Sequence, residues 1–169
     1  MEVTRVFLVG YMGCGKSYWG KRLADSLGFD FIDLDNLIVK KEGMSIPEIF
    51  SQLGEASFRE REQKALLSTK MLKRSTIIST GGGAPCFHDN MALMNTIGQT
   101  LFLEASPLML KQNILKSEDE RPIVKSVLES ELESYIANHL NSRLPYYQLA
   151  QFKCNVDGLT LDNLIEILK

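Results

Sequence analysis

"GYMGCGKSYWGKRLADSLG", residues Gly10 to Gly28, follows directly on the apolar run Val6, Phe7, Leu8, Val9. Three glycines fall within its first six residues, Lys16 and Ser17 come next, and an amphipathic pattern begins only after them. Gly10, Gly15, Lys16 and Ser17 fit G-x-x-x-x-G-K-[ST], and the strand-like run before and helical pattern after supply the context this motif needs. Glycines let the backbone wrap so that successive N–H groups face inward. The helix N-terminus beyond them adds partial positive charge, so the stretch is suited to an anionic phosphate chain. Lys16 is expected on β- and γ-phosphate oxygens and Ser17 on Mg²⁺, which points to a nucleoside triphosphate and makes the acceptor the open question.

The rest of the chain alternates strand-like and helical patterns. Apolar β-like runs recur at Val3 to Val9, Phe29 to Leu34, Thr76 to Ser79, Thr100 to Leu103 and Phe152 to Val156, which predicts a parallel α/β sheet. Ser45 with Glu48 and Ser126 with Glu129 match capping boxes, Ser106-Pro107 sets a cap before a first-turn proline, and Gly28, Gly43 and Gly54 read as helix stops. At 169 residues the length suits one domain with a full core. Nineteen basic against 21 acidic residues leave a net charge of −2, which supplies no general attraction to nucleic acid or to an anionic membrane. The opening "MEVTRVFLVGYMG" has no basic region followed by a long apolar one, so a cytoplasmic protein is expected. Cys14, Cys86 and Cys154 form no C-x-x-C pair and read as reduced thiols.

Four further stretches bear on the acceptor. "FIDLDNL" sets Asp33 and Asp35 on one side of an extended chain at a strand's C-terminal end, although a solvated strand end explains D-x-D equally well. "ISTGGGAP" brings Gly81, Gly82 and Gly83 to the end of the next strand, either as bare backbone for a ligand or as a flexible turn. "GEASFREREQKALL" carries Phe58, Arg59 and Glu62, and "NSRLPYY" carries Arg143; two such arginines become informative only if they converge on one carboxylate. "KSEDERPIVKS", 116–126, is the most polar stretch and reads as a mobile loop or an ordinary solvated connection.

Taken in order, "GYMGCGKS", "DLD", "SFRERE", "STGGG", "ERP" and "SRLPYY" resemble the shikimate kinase family from Val6 onward. The resemblance implies a three-layer P-loop fold: a five-stranded parallel sheet in order 2-3-1-4-5, helices on both faces and a mobile lid near 116–126. It implies ATP-dependent phosphorylation of the 3-hydroxyl of shikimate by a cytoplasmic monomer, with segment 33–62 binding shikimate. By motif position Gly13, Cys14, Gly15, Lys16, Ser17 and Tyr18, with Arg121, would hold the nucleotide. Ser17 and Asp33 would hold Mg²⁺. Asp35 would be the base, with Lys16 and Arg121 completing the catalytic set, and Arg59 and Arg143 would clamp the substrate carboxylate beside Gly81, Gly82 and Gly83.

Two positions depart from the family's pattern. Ile114 stands where these kinases commonly carry an adenine-stacking arginine, which predicts a looser or more apolar base pocket, with a base site near Asp157 to Thr160. Tyr18 stands where a small hydroxyl residue is usual, so phosphate contact there falls to its backbone N–H. Phe50 and Phe58 read as pocket wall or core, His88 and His139 as surface or capping groups, and Met91, Met94 and Met109 as core filling. Three rivals remain: a kinase for another small metabolite such as gluconate, a nucleotide-binding regulatory module without catalysis, and a nucleoside monophosphate kinase.

Overall fold

The computed structural model describes residues 3–117 and 127–168. Arg121, Ser126 and nearly all of the 116–126 stretch therefore lie outside the described residues. Five strands, β1 (Arg5–Val9), β2 (Asp30–Asp33), β3 (Thr76–Ser79), β4 (Gln99–Glu104) and β5 (Phe152–Asn155), pair in parallel in the order β2-β3-β1-β4-β5. Each expected strand is present, with ends shifted by up to two residues. The apolar composition of the central strands follows from their position, since a parallel sheet with helices on its faces gives its middle strands no solvated side. Val6 to Val9 and Thr76 to Ser79 are buried at every position.

Around the sheet run α1 (Lys16–Leu27), α2 (Leu34–Glu42), α3 (Ile46–Ser68), α4 (Asn90–Ile97), α5 (Pro107–Lys116), α6 (Leu132–Tyr147) and α7 (Leu161–Ile167). α1 packs on β2 and β3 and touches α7, while α4 packs on β4 and α3. Gly20 sets how closely α1 approaches the sheet: a Cβ there would lie 2.6 Å from Phe31 Cε2 and 3.0 Å from Leu8 Cδ1.

Local signals explain most helix ends. Ser45 and Glu48 form the expected capping box, Ser106 Oγ accepts from the Met109 N–H, and Gly28 and Gly43 close α1 and α2 in the left-handed conformation. Gly54 interrupts the helix as expected, but a second helical run follows it directly. At φ 80° and ψ 166° it kinks α3, and the helix resumes beyond it toward Arg59 and Glu62. α6 begins at Leu132 behind Glu131, with no side-chain cap, so Glu129 lies ahead of the helix and the Ser126 half of that box is not among the described residues.

Candidate active site

The carboxyl ends of β1, β2 and β3 open onto a cleft of about 1470 Å³. Its floor is the loop between β1 and α1. Gly13 and Gly15 take φ of 84° and 91°, the left-handed turn that lets the loop curl before Lys16 opens the helix. Lys16 is 8 % exposed, and its ammonium donates to the carbonyls of Gly10 at 2.8 Å and Tyr11 at 3.0 Å. Cys14 is buried with its sulfur 3.8 Å from that nitrogen, a packing position within the loop.

Ser17 Oγ donates to Asp33 Oδ2 at 2.7 Å and lies 3.1 Å from Ser79 Oγ. Asp33 Oδ1 accepts the N–H groups of Asp35 and Asn36, so this aspartate is also the N-cap of α2. That corrects the extended D-x-D reading. β2 ends at Asp33, and Asp35 sits in the first turn of α2, turned toward the cleft by the helix that Asp33 caps. The hard oxygen set of Ser17 and Asp33 fits a Mg²⁺ that keeps most of its ligands as water and phosphate. Among the described residues no cluster of three or more His, Cys, Asp or Glu offers a fuller cage.

Gly81, Gly82 and Gly83 stand at the centre of the cleft, each against a different functional group. A Cβ on Gly81 would lie 3.0 Å from Asp35 Oδ1 and 3.1 Å from Glu62 Oε1. On Gly82 it would lie 3.2 Å from the Met12 N–H nitrogen and 3.6 Å from Arg143 Nη1, and on Gly83 2.8 Å from both terminal nitrogens of Arg59. The run is therefore bare because four side-chain groups and the phosphate loop crowd onto it.

Burial governs the electrostatics here. It raises the Asp35 carboxyl above its ordinary value of 3.8, the Asp33 carboxylate adds to the rise, and Lys16 and Arg59 oppose it. Asp35 Oδ1 and Glu62 Oε1 are buried without a hydrogen-bond partner among the described residues, and both flank Gly81. Glu62 is pushed from 4.5 up to about 7, chiefly by burial, against the attraction of Arg59. Arg59 donates to Glu62 Oε2 at 2.8 Å and to Glu55 Oε1 at 3.0 Å, with its guanidinium 4.0 Å from the Phe87 ring centre. Pairing and an aromatic platform fix that guanidinium toward the glycines.

Several sequence readings change at this point. Ile114 is 6 % exposed and packs on Gly13, where a Cβ would meet its Cγ1 at 3.0 Å, so it supports the phosphate loop and does not line the cleft. Met109, Asn113, Lys116, Ser117 and Val156 do line the cleft, and Asn113 donates to the Gly13 carbonyl at 2.8 Å. Met109 thus belongs partly to the cleft, whereas Met91 and Met94 are core. Tyr18 is 56 % exposed beside the loop, with the Arg22 guanidinium 4.8 Å above its ring. Phe50 and Phe58 pair at 4.7 Å and both line the cleft, Phe58 also belonging to the core.

Tyr11, Glu62 and Tyr147 lie within the motif stretches and His139 outside them, but sequence reading assigned none of the four the contacts they make here. Burial holds Tyr11 well above the usual phenol value, at about 12, and also lowers His139, and the phenol oxygen and His139 Nδ1 share a hydrogen bond at 2.9 Å. Tyr147 Oη donates to the Gly82 carbonyl at 2.5 Å. An i, i+4, i+8 spacing on α6 was the available signal, but only contact shows what that face meets.

The family model described as "Shikimate kinase" matches residues 12–166. A shikimate kinase of Bacteroides thetaiotaomicron is 41% identical over 157 residues, covering 93% of this chain and 89% of that protein. A crystal structure of shikimate kinase from the same species superposes with a TM-score of 0.92 at 39% identity, covering 98% of both chains. A shikimate kinase from Acinetobacter baumannii in complex with shikimate superposes with a TM-score of 0.85 at 27% identity, covering 98% of this chain and 93% of that one.

Proposed function

The chain belongs to the shikimate kinase family, and on that premise we propose that its cleft transfers the γ-phosphoryl group of ATP to the 3-hydroxyl of shikimate. The products are shikimate 3-phosphate and ADP, on the route to chorismate and the aromatic amino acids. The observation that carries this reading is the convergence of Asp35, Glu62, Arg59 and Arg143 on three bare glycines beside the phosphate loop. A small acid with ring hydroxyls needs cationic groups for its carboxylate, one carboxylate for the reacting hydroxyl and backbone where side chains would obstruct it.

Phosphoryl transfer needs alignment and charge stabilisation more than covalent help. Asp35 orients the acceptor hydroxyl and takes its proton, and its raised pKa suits it to that task. Arg59 and Arg143 hold the substrate carboxylate, and Lys16 neutralises the transferring oxygens, with Gly13, Cys14, Gly15, Ser17 and the Tyr18 N–H around the phosphates. Ser17 and Asp33 would hold Mg²⁺, which supplies charge neutralisation at the β- and γ-phosphates when bound. Arg121 enters by its motif position alone, in a segment near 116–126 that serves as lid. Arg121→Ala is expected to lower kcat by roughly a hundredfold. The same proposal has the chain acting as one P-loop domain, a cytoplasmic monomer whose partners are small molecules rather than nucleic acid or membrane.

The test is Mg²⁺-dependent ADP formation with no acceptor, shikimate, gluconate or AMP, using Asp35→Asn as control. Strong turnover on shikimate that collapses in the variant is the expected result. Turnover on gluconate or AMP instead, or ATP binding without turnover on any acceptor, would overturn the assignment.

A further inference from the structure

We propose that His139 is a positioning residue for phosphoryl transfer: through Tyr11 it locks the phosphate loop in register with the substrate-facing Arg143, so that donor and acceptor sites stay aligned. The inference rests on the kinase reading above and adds a residue that reading does not use.

Tyr11 is the second residue of the phosphate loop, and its two ends do different work. Its carbonyl accepts the Lys16 ammonium at 3.0 Å, which ties its backbone to the group that meets the phosphates. Its side chain is 2 % exposed and reaches α6, where the hydroxyl meets His139 Nδ1 at 2.9 Å and the two rings stand edge to face at 5.5 Å. One turn further along α6 the Arg143 guanidinium lies 5.7 Å from the centre of the same tyrosine ring. Another turn on, Tyr147 Oη bonds the carbonyl of Gly82, the glycine whose Cβ would contact both Met12 N and Arg143 Nη1.

One face of one helix therefore grips the phosphate loop at Tyr11 and the glycine run at Gly82, with Arg143 between them. Donor and acceptor must be held within a fraction of an ångström for transfer, and a loop rich in left-handed glycines has little stiffness of its own. Ile114 and Asn113 brace Gly13 from α5, and the His139 contact braces the opposite end of the loop. Neither His139 nor the Tyr11 hydroxyl touches substrate in this scheme. Both act through the loop and through Arg143.

The test compares His139→Leu, His139→Gln and Tyr11→Phe, alone and combined, in steady-state assays with shikimate and ATP, alongside thermal unfolding. His139→Leu and Tyr11→Phe are each expected to lower kcat about tenfold, the rate equivalent of one ordinary hydrogen bond, with KM values moving less than about threefold. The double variant should lose no more than the worse single, because both remove one contact. His139→Gln, whose amide can donate to or accept from the phenol, should recover most of the rate. Full kcat in a folded His139→Leu, additive losses, or a lowered melting temperature with normal kcat would each overturn the inference while leaving the kinase reading intact. Absence of shikimate-dependent turnover in the unsubstituted enzyme would remove both.

Discussion

Gly83→Ala isolates the substrate clamp more cleanly than removing Arg59 does. Gly83 has φ −89° and ψ −18°, an ordinary right-handed conformation, so alanine adds no backbone strain there. The whole effect comes from the methyl group, which would sit 2.8 Å from both terminal nitrogens of Arg59 and 3.1 Å from its Cζ. Reaching a 3.4 Å contact requires the guanidinium to retreat by about 0.6 Å. It has little freedom to do so, since Glu62 holds it at 2.8 Å, Glu55 at 3.0 Å and the Phe87 ring at 4.0 Å. A hydrogen bond to a charged group contributes about 1.5–3 kcal/mol, so losing one to the carboxylate raises the KM for shikimate about 10- to 100-fold. The KM for ATP and kcat should change less than about threefold, because the phosphate loop and Asp35 do not touch the new methyl. Steady-state ADP release over a shikimate titration reads all three parameters. An unchanged shikimate KM in a folded Gly83→Ala enzyme would refute the placement of Arg59 on the substrate.

The neighbouring glycine should answer differently: in Gly81→Ala the methyl meets Asp35 Oδ1 at 3.0 Å and Glu62 Oε1 at 3.1 Å. Single-turnover rates should therefore fall about 10- to 100-fold, with a smaller change in shikimate affinity. Glu62 supplies a pH prediction, since its folded-state value near 7 against 4.5 unfolded means the native protein holds a proton the unfolded chain has released. That stabilisation is complete below about pH 4.5 and is lost as pH rises through about 7, by up to about 3 kcal/mol. Urea unfolding of Glu62→Gln across that window should show a flatter stability profile than the parent, and an identical slope would remove Glu62 as its source. Gly20→Ala should destabilise the protein by about 1–3 kcal/mol, because the added methyl would lie 2.6 Å from a Phe31 ring carbon under α1. A normal melting temperature would show that α1 can lift from the sheet without cost.

The β-rich runs, the phosphate loop and the caps at Ser45, Gly28 and Gly43 could be read from sequence because each depends on neighbours a few residues away. The family could be read as well, since its motifs keep their order along the chain. Asp35 was singled out for a sound reason but in a wrong local geometry, as Asp33 turned out to be a helix cap as well as a partner of Ser17. Gly54 marks the limit of such local signals: it breaks helical geometry as a helix stop should, but whether a second helical run follows depends on what the next segment packs against.

Tertiary structure alone decided why the three glycines are bare, where Ile114 points and what braces the phosphate loop. Arg59 meets Gly83 and Arg143 meets Gly82 because α3 and α6 return to the same strand ends from distant parts of the chain. Tyr11 and His139 are separated by 128 residues, and no local periodicity encodes a contact of that range. The raised pKa values of Asp35 and Glu62 have the same origin, for burial belongs to the assembled cleft rather than to either residue type. Which chemical groups the protein owns, and which short elements carry them, follows from residue order alone. Long-range packing determined which of those groups meet, and desolvation at that meeting point determined how they titrate.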